Sequence, residues 1–399
     1  MEFVIKQSLL KETLAHVQGV VERKSTIPVL SNILIESLGE NSIRIVGTDL
    51  DVTIRCDAEA EIKTPGSMCV QARKLFELSR LLNGEDVRFR KEENEWVLVT
   101  CGRGRFRLAG VNKEHFPEIP ILKSAPLKLP AAFFNYFIQH TAFAITNEQS
   151  RFTLSGAKFI FADGVAKMVT TDGHRLAYIE RPLEAEKEGS MDVLIPKKAL
   201  LELVKISRDS EGEVAFGEDQ NNIYFEIDGR LLTSRKLSGT FPNYEMVMPK
   251  DNDKHAEFDL EDMRGAVRRV AIMADERNRS IRLTVREGEV EISAQSSEEG
   301  EGNEIVPADY AGEEIQLGFN WQYLQDFLNT VSSVQTGFSN DEGSEAVQKE
   351  TDGDKVRVKE SNSPTRIRFE FKDSNAQTLM KIAGESAYDY RYIVMPLRI

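Results

Sequence analysis

Apolar residues recur at helical spacing in several segments of the chain. Leu10, Leu14, Val17 and Val21 stand at positions i, i+4, i+7 and i+11, which places them on one face of an α-helix. The segments with this kind of pattern are 6–24, 72–82, 131–143, 197–207, 260–273 and 320–331. The pattern therefore predicts six amphipathic helices.

Between these helices the apolar residues alternate with polar ones. Ile281, Leu283 and Val285 face one side of a strand, a turn R-E-G-E follows, and Val290 and Ile292 return along a second strand. Strict alternation over such a length is typical of a half-buried strand in an antiparallel hairpin. The chain is therefore predicted to belong to the α+β class, with antiparallel sheets.

The predicted elements repeat along the chain with a period close to 124 residues. Taken as equivalent positions of three helical segments, Lys74, Lys198 and Trp321 are 124 and 123 residues apart. V-G-T-D at 46–49 recurs as V-T-T-D at 169–172, and Phe-Pro at 116–117 recurs at 241–242. Repeats of this kind indicate one structural unit used several times. We expect three copies, each with two helices and several strands.

Proline-containing linkers at 120–130 and 249–255 separate the copies. We expect domains at 1–123, 126–250 and 254–399. The third copy is longer because of a charged segment at about 340–364, poor in aromatic residues. Its composition is typical of a mobile loop inserted between two strands.

The chain has 399 residues, 41% of them hydrophobic, and a formal net charge of −14. This length suits several domains with their own cores. The first five residues do not resemble an export signal, and no stretch approaches the roughly 20 apolar residues that span a bilayer. We therefore expect a soluble cytoplasmic protein with no membrane partner.

The positive charge is concentrated in the predicted helices. The six segments together carry a net charge of +6, which leaves −20 on the rest of the chain. Lysine and arginine without interleaved aromatic residues suit contact with a phosphate backbone rather than recognition of bases. The alternative is that these are ordinary solvated helix faces, but that alternative does not explain the repeat.

The sequence contains no pattern typical of catalysis or of a cofactor. Cys56, Cys69 and Cys101 lack the spacing of a metal or redox site. Asp172 and His174 lie two residues apart in a turn, but the chain has no nucleophile elbow, phosphate-binding loop or paired-carboxylate signature near them. We expect neither enzymatic activity nor a bound metal or cofactor.

With these features, the chain closely resembles the beta subunit of bacterial DNA polymerase III, the DNA sliding clamp. The most specific segments are T-D-G-H-R-L-A at 171–177, F-P-N-Y at 241–244, G-F-N at 318–320 followed by Tyr323, and V-M-P-L-R-I at 394–399. The resemblance covers essentially the whole chain. It implies a DNA clamp fold that closes as a head-to-tail dimeric ring with its helices inside.

The resemblance also implies the function of a processivity factor, which encircles and slides on double-stranded DNA without sequence preference. The implied partners are the replicative polymerase alpha subunit, the clamp loader, other clamp-binding repair proteins and a second copy of the chain. The DNA-facing residues are expected to be Lys24, Arg73, Lys74, Arg80, Lys197, Lys198, Lys205, Arg268 and Arg269.

Two further sites are implied by the same family. A pocket between the second and third domains takes a short peptide from each partner, and its apolar residues suit Leu or Phe anchors. The matching positions are Leu154, Thr171, Gly173, His174, Arg175, Leu176, Pro242, Met246, Val247, Asn320, Tyr323, Ile393, Val394, Met395, Pro396, Leu397 and Arg398. The dimer interface is expected to use Arg103, Arg105, Phe106, Leu108, Ile272, Met273, Glu298 and Glu301, with opposite charges on its two faces.

Two features depart from the family pattern. Met246 and Asn278 stand where the family often has an arginine and an aromatic residue, so the peptide preference of the pocket does not follow from the resemblance. The other departure is the segment at 340–364. The competing hypothesis is a repeat-built scaffold that binds only proteins and is not loaded onto DNA.

Overall fold

The structure is a computed structural model that describes residues 1–22, 26–120, 127–148, 150–183, 190–298, 300–335, 365–384 and 386–398. The expected insertion at 340–364 and Lys24 lie outside these residues. The part of the chain that is described contains six α-helices, as predicted. They are α1 (Gln7–Val17), α2 (Ala72–Leu81), α3 (Ala131–Thr141), α4 (Lys197–Ser207), α5 (Leu260–Val270) and α6 (Trp321–Gln335).

The strands are short and antiparallel. The first group is β1 (Glu2–Lys6), β2 (Asn32–Leu38), β3 (Ser42–Thr48), β4 (Val52–Glu59), β5 (Glu61–Thr64), β6 (Ser67–Gln71), β7 (Asp86–Lys91), β8 (Val97–Cys101), β9 (Gly104–Leu108) and β10 (Gly110–Val111). The second group is β11 (Leu127–Pro130), β12 (Gly156–Ala162), β13 (Val165–Thr171), β14 (Arg175–Pro182), β15 (Met191–Pro196), β16 (Glu213–Glu218), β17 (Asn222–Ile227) and β18 (Arg230–Arg235). The third group is β19 (Lys254–Asp259), β20 (Ser280–Arg286), β21 (Glu289–Ser296), β22 (Gly300–Asp309), β23 (Ile315–Asn320), β24 (Arg366–Phe371), β25 (Thr378–Ile382) and β26 (Asp389–Val394).

Several helix ends differ from the prediction, and the difference is largest at the first helix. It was expected to span 6–24, but α1 ends at Val17 and the chain continues as turns. Gly19 follows, and a Cβ atom there would lie 2.7 Å from the Glu202 carboxylate. The side chain of Glu202 thus packs against this turn, which the apolar spacing of Leu14, Val17 and Val21 did not reveal.

Other helices end in a different conformation or run further than expected. α3 and α5 each continue as a short 3₁₀ helix, Ala142–Ala144 and Ala271–Met273. α6 begins at Trp321 and runs to Gln335, four residues beyond the predicted end. α4 has the predicted bounds. Tightening of a last turn into a 3₁₀ helix is common and leaves little trace in the sequence.

By contact density the chain forms two compact units. Unit 1 comprises Met1–Ile138, Gln149–Gly164 and Ala185–Gly239; unit 2 comprises Gln139–Glu148, Val165–Glu184 and Thr240–Ile399. Unit 1 contains a five-stranded sheet in the order β5-β1-β7-β8-β9, a nine-stranded sheet in the order β10-β6-β2-β3-β4-β18-β17-β16-β11, and the pair β12–β15. In unit 2 the strands run in the order β13-β14-β26-β25-β24-β19-β22-β21-β20-β23.

Each unit has a core of apolar side chains between helices and sheets. In unit 1 the rings of Phe216 and Phe225 stack at 4.6 Å, and Phe134 of α3 meets both edge-on at 5.8 Å. In unit 2 Phe327 of α6 stacks on Tyr392 of β26 at 5.4 Å. Such ring pairs contribute beyond their buried area. The second of them fixes α6 against the strand that carries the candidate site.

The predicted hairpin in the third copy is confirmed. Ile281, Leu283 and Val285 of β20 are all buried, and β20 pairs with β21 through Leu283–Ile292 and Val285–Val290. None of the helices in the described ranges is both long and apolar enough to span a membrane.

Candidate functional site

The segment Thr171–Arg175 forms a tight turn between β13 and β14. One carboxylate oxygen of Asp172 accepts hydrogen bonds from the backbone N–H groups of His174 (2.9 Å) and Arg175 (3.1 Å). The Thr171 hydroxyl donates to the Arg175 carbonyl at 2.6 Å and accepts from the Gly173 N–H at 3.0 Å. Gly173 has φ 91°, a conformation that glycine adopts without strain. The turn is thus held by its own side chains and leaves Gly173 and His174 exposed.

The Arg175 side chain lies at the centre of the site. Its guanidinium donates to Asp172 (3.0 Å), to the carboxylate of Asp326 on α6 (2.6 Å) and to the carbonyl of Phe143 (2.7 Å). It also lies 4.5 Å from the ring centroid of Tyr323. Two carboxylates, one carbonyl and an aromatic face therefore fix the plane of the guanidinium.

This arrangement sets the charge of the site. Burial lowers the pKa of Arg175, but the neighbouring Tyr392, Asp326 and Asp172 outweigh it and the net shift is upward. Burial also raises the pKa of Tyr323, helped by Asp172 and Asp326 and opposed by Arg175. Near neutral pH the site therefore presents a fixed cation against a neutral phenol.

The C-terminal segment is docked beside the turn. β26 pairs with β14, with Val394 opposite Arg175 and Ile393 opposite Leu176. Beyond the strand, the Met395 N–H donates to the His174 carbonyl at 2.9 Å, and the Leu397 N–H donates to the Gly318 carbonyl at 2.8 Å. The structure thus brings together three stretches of the expected pocket, 171–176, 318–323 and 393–397. Ile393 and Val394 are buried, Met395 to Leu397 are half-buried and Arg398 is exposed.

The segment 242–248 is tied to the same pair of strands. The ring of Tyr244 lies 5.9 Å from that of Tyr178 in β14, and Arg391 of β26 approaches the Met248 sulfur at 3.8 Å. Of the expected pocket residues here, Pro242 is exposed, Val247 is half-buried and Met246 is 81% exposed. Met246 therefore presents a nearly free apolar side chain in this segment.

Asn320 and Asn278, both expected near the pocket, are occupied by local hydrogen bonds. Asn320 accepts from the Gln322 N–H at 3.0 Å and so caps α6. Asn278 accepts from the backbone and hydroxyl of Ser280, each at 3.0 Å. Leu154 is buried and belongs to unit 1, whereas the other expected pocket residues belong to unit 2.

The basic residues expected to face DNA differ in how far they are engaged. In α2, Arg73 pairs with Glu77 at 2.8 Å, whereas Lys74 has no ion-pair partner among the described residues. In α5, Arg269 pairs with Glu304 of β22, and Arg268 is exposed without an ion pair in the same described set. The exposed members are Arg73, Lys74, Arg80, Lys205, Arg268 and Arg269.

Lys198 of α4 is engaged more closely than the other basic residues. Its ammonium donates to the Asp49 carboxylate and, at 3.1 Å, to the Val20 carbonyl. Lys205, further along α4, pairs with the buried Glu202 at 2.6 Å. Two lysines of α4 are therefore paired with acidic residues of unit 1.

The residues expected at a dimer interface are largely exposed. Phe106 of β9 is 38% exposed on the edge strand of the five-stranded sheet, and Ile272 after α5 is 68% exposed. Glu298 and Glu301, near the start of β22, are exposed as well. A cleft of about 340 Å³ next to Ile272 is lined by Glu261, Arg264, Gly265, Arg268, Arg269 and Ile272. Exposed apolar side chains beside charges of both signs are typical of a surface that binds another protein.

The sequence did not reveal every residue that builds the site. Asp326, Phe143 and Tyr392, which contact Arg175, are not among the expected pocket residues. One signal for Asp326 did exist, because it stands 124 residues after Glu202, the single acid of α4.

Comparison with known proteins shows which family the chain is similar to. Three family models match in succession: the DNA polymerase III beta subunit N-terminal domain at 1–120, its central domain at 128–243 and its C-terminal domain at 245–361. Together they cover most of the chain.

Two bacterial sliding clamps match along their whole length. The beta sliding clamp of Pseudomonas aeruginosa is 33% identical over 401 residues, covering 100% of both chains. That of Pseudomonas putida is 32% identical over 402 residues with the same coverage. Among solved structures, the DNA polymerase III subunit beta from Pseudomonas aeruginosa superposes with a TM-score of 0.85 at 31% identity, covering 100% of each chain.

Proposed function

Because the chain belongs to the family of bacterial DNA polymerase III beta subunits, the sliding clamps, we propose that it encircles duplex DNA and tethers the replicative polymerase to it. The observation that carries this proposal is the succession of three beta-subunit domains in one chain that matches sliding clamps along its full length. A clamp acts in the bacterial cytoplasm and holds DNA for other enzymes rather than catalysing a reaction itself.

The proposed grip on DNA is electrostatic and independent of sequence. The exposed cations of α2, α4 and α5 would face the phosphate backbone, led by Lys74, Arg80 and Arg268. A ring keeps its DNA by topology, so these contacts need only be weak, and tight ones would hinder sliding. The formal charge of −14 supports this proposal, because it disfavours DNA binding outside the basic surface.

The proposed peptide site lies around the turn Thr171–Arg175 and the C-terminal segment. Half-buried Met395 and Leu397 supply apolar surface, and Arg175 and Tyr323 supply a fixed cation and ring. Peptide segments of the polymerase alpha subunit, the clamp loader and repair proteins would bind here. The exposed Met246 replaces a family arginine, so we expect an apolar rather than an acidic peptide residue at that position.

Ring closure would join two copies head to tail. One face offers Phe106 and Leu108 with Arg103 and Arg105, and the other offers Ile272 and Met273 with Glu298 and Glu301. Opposite charges on the two faces favour this contact over pairing of like faces.

The clamp function is tested by topology. In light scattering the protein should have about twice the chain mass of 45.1 kDa. With a clamp loader and ATP it should remain on nicked circular plasmid and be lost when the plasmid is linearised. A monomer that binds linear and circular DNA equally would overturn the proposal and favour a protein-binding scaffold.

The peptide site has its own test. Deletion of residues 395–399 should abolish binding of a labelled polymerase peptide and polymerase stimulation, while the dimer persists in light scattering. A matched control is Lys11→Ala on α1, a solvent-exposed residue outside every proposed site, which should bind the peptide normally. Normal peptide binding by the deletion variant would reject the assignment.

A further inference from the structure

The turn at the peptide site has a second copy in unit 1. The carboxylate of Asp49 accepts from the N–H groups of Asp51 (3.0 Å) and Val52 (2.6 Å), as that of Asp172 does in unit 2. The Thr48 hydroxyl accepts from the Leu50 N–H at 3.0 Å and donates to the Val52 carbonyl at 3.2 Å. The segment Thr48–Val52 therefore repeats the four hydrogen bonds between side chain and backbone that close Thr171–Arg175.

The strand beside the turn is repeated too. β18 pairs with β4 in unit 1, as β26 pairs with β14 in unit 2. The Arg235 N–H donates to the Asp51 carbonyl at 2.8 Å, and the Leu237 N–H donates to the Leu194 carbonyl at 3.1 Å. These bonds correspond to those that Met395 and Leu397 make in unit 2. The two copies thus share one backbone frame.

The copies differ in the charged groups around that frame. Val52 occupies the position of Arg175, and Lys198 of α4 supplies the cation that binds Asp49. Glu202 stands 124 residues before Asp326. Its side chain is 5% exposed. One carboxylate oxygen pairs with Lys205, and the other has no hydrogen-bond partner in the described chain.

In unit 1 the turn therefore forms although the residue at the start of β4, Val52, makes no ion pair with the acid of α4, Glu202. The Asp326–Arg175 contact is not needed to fold the turn, so its role lies elsewhere. We propose that Asp326 is a positioning residue, which holds the Arg175 guanidinium against Tyr323 in the geometry that the partner peptide binds. This inference rests on the proposed function of the pocket.

The geometry explains why Asp326 and not Asp172 has this role. Asp172 holds both the turn and the Arg175 Nε atom, so its loss would disturb the backbone. Among the described residues, the Asp326 carboxylate accepts its hydrogen bond from the guanidinium, and its side chain is 41% exposed. Its loss would free one edge of the guanidinium and leave the fold in place, because Asp172 and the Phe143 carbonyl still hold the other bonds.

The test compares Asp326→Asn with Asp326→Glu and with Glu202→Gln, the variant at the equivalent position of unit 1. The probe is a fluorescein-labelled peptide carrying the clamp-binding segment of the polymerase alpha subunit, measured by fluorescence anisotropy. Asp326→Asn should weaken peptide binding about tenfold, as expected for one charge-assisted hydrogen bond lost in partly exposed surroundings. Asp326→Glu should recover most of the affinity, and Glu202→Gln should bind as the wild type does.

A double-mutant cycle separates positioning from a general structural effect. In an Arg175→Ala background, Asp326→Asn should cause no further loss of affinity, since the group it holds is gone. Equal affinity of Asp326→Asn and wild type, or an undiminished loss in the Arg175→Ala background, would overturn the inference. Failure of the wild type itself to bind the peptide would instead overturn the proposed pocket.

Discussion

Replacement of Lys198 is the sharpest test of what stabilises the turn Thr48–Val52 in unit 1. Lys198 lies in the first turn of α4, and Lys74 lies in the first turn of α2. Lys198 binds the Asp49 carboxylate and the Val20 carbonyl, whereas Lys74 is exposed and has no ion pair within the described ranges. Replacing either with alanine removes one positive charge, but only Lys198→Ala removes contacts seen in the structure.

The size of the effect follows from the burial of the two partners. The Asp49 side chain is 10% exposed and that of Lys198 is 42% exposed. A buried ion left alone costs about 3–5 kcal/mol, but the other oxygen of Asp49 keeps two backbone donors, and solvent reaches the ammonium group. We therefore expect Lys198→Ala to lower the free energy of unfolding by about 1–2 kcal/mol, close to the value of one hydrogen bond to a charged group.

The assay is thermal unfolding followed by circular dichroism, with Lys74→Ala as the charge-matched control. For a unit of this size, the loss corresponds to a fall in Tm of about 2–8 °C. Lys74→Ala should change stability by less than about 0.5 kcal/mol, as surface substitutions usually do. If Lys198→Ala and Lys74→Ala have equal stability, the contacts of Lys198 contribute nothing and the reasoning is refuted.

Three further predictions concern the core, acid stability and the thiols. Phe134→Ala should lower the free energy of unfolding by about 3–5 kcal/mol in urea titration, because this fully buried ring leaves a cavity. Burial raises the pKa of Asp219, but bonds from Tyr224 and backbone N–H groups outweigh it and hold the pKa at about 2. Because this pKa lies below the unfolded value near 3.8, Asp219 contributes to the free energy of unfolding above that pH, and the contribution is lost as pH falls toward 2. In urea titrations between those pH values, Asp219→Asn should lack this contribution. Burial raises the pKa of Cys56 to about 12 and of Cys69 to about 11, so a disulfide reagent should label them only after unfolding. Labelling of Cys56 or Cys69 in the native protein, located by peptide mapping, would contradict this expectation.

Helix positions were well predicted where the apolar pattern is set by the helix's own sheet. α4 has the expected bounds for two reasons. Its buried residues, from Ala199 to Ile206, recur at helical spacing, and the preceding strand ends at Pro196. The end of α1 was not predictable in this way. The chain leaves the helix at Val17, and Gly19 then packs against Glu202, a residue 183 positions away. Contacts between distant segments leave no periodic signal along the sequence.

The sequence named several residues of the candidate site but not the contacts between them. The motif T-D-G-H-R lies in the turn, and the structure brings the C-terminal segment next to it. The sequence could not indicate that the guanidinium of Arg175 reaches α6, because a side chain with several rotatable bonds has many possible partners. The repeat held the missing information in part, because Asp326 and Glu202 each lie in the helix that follows β23 or β15. Only the structure shows that Asp326 binds Arg175 of β14, whereas Glu202 binds Lys205 of its own helix.

The different charged groups in the two copies also explain why α4 carries lysines and α6 carries none. In unit 1 the cation that binds the turn comes from α4, so this helix must carry a lysine at its start. In unit 2 the cation comes from β14 as Arg175, and the helix contributes the carboxylate of Asp326 instead. α6 therefore has no lysine or arginine, and its single formal charge is neutralised by the pocket arginine rather than turned toward DNA. Because the single charged residue of α6 is an acid, α5 and α6 together carry no net formal charge. Asp326→Asn should leave the salt dependence of DNA retention unchanged while it weakens peptide binding.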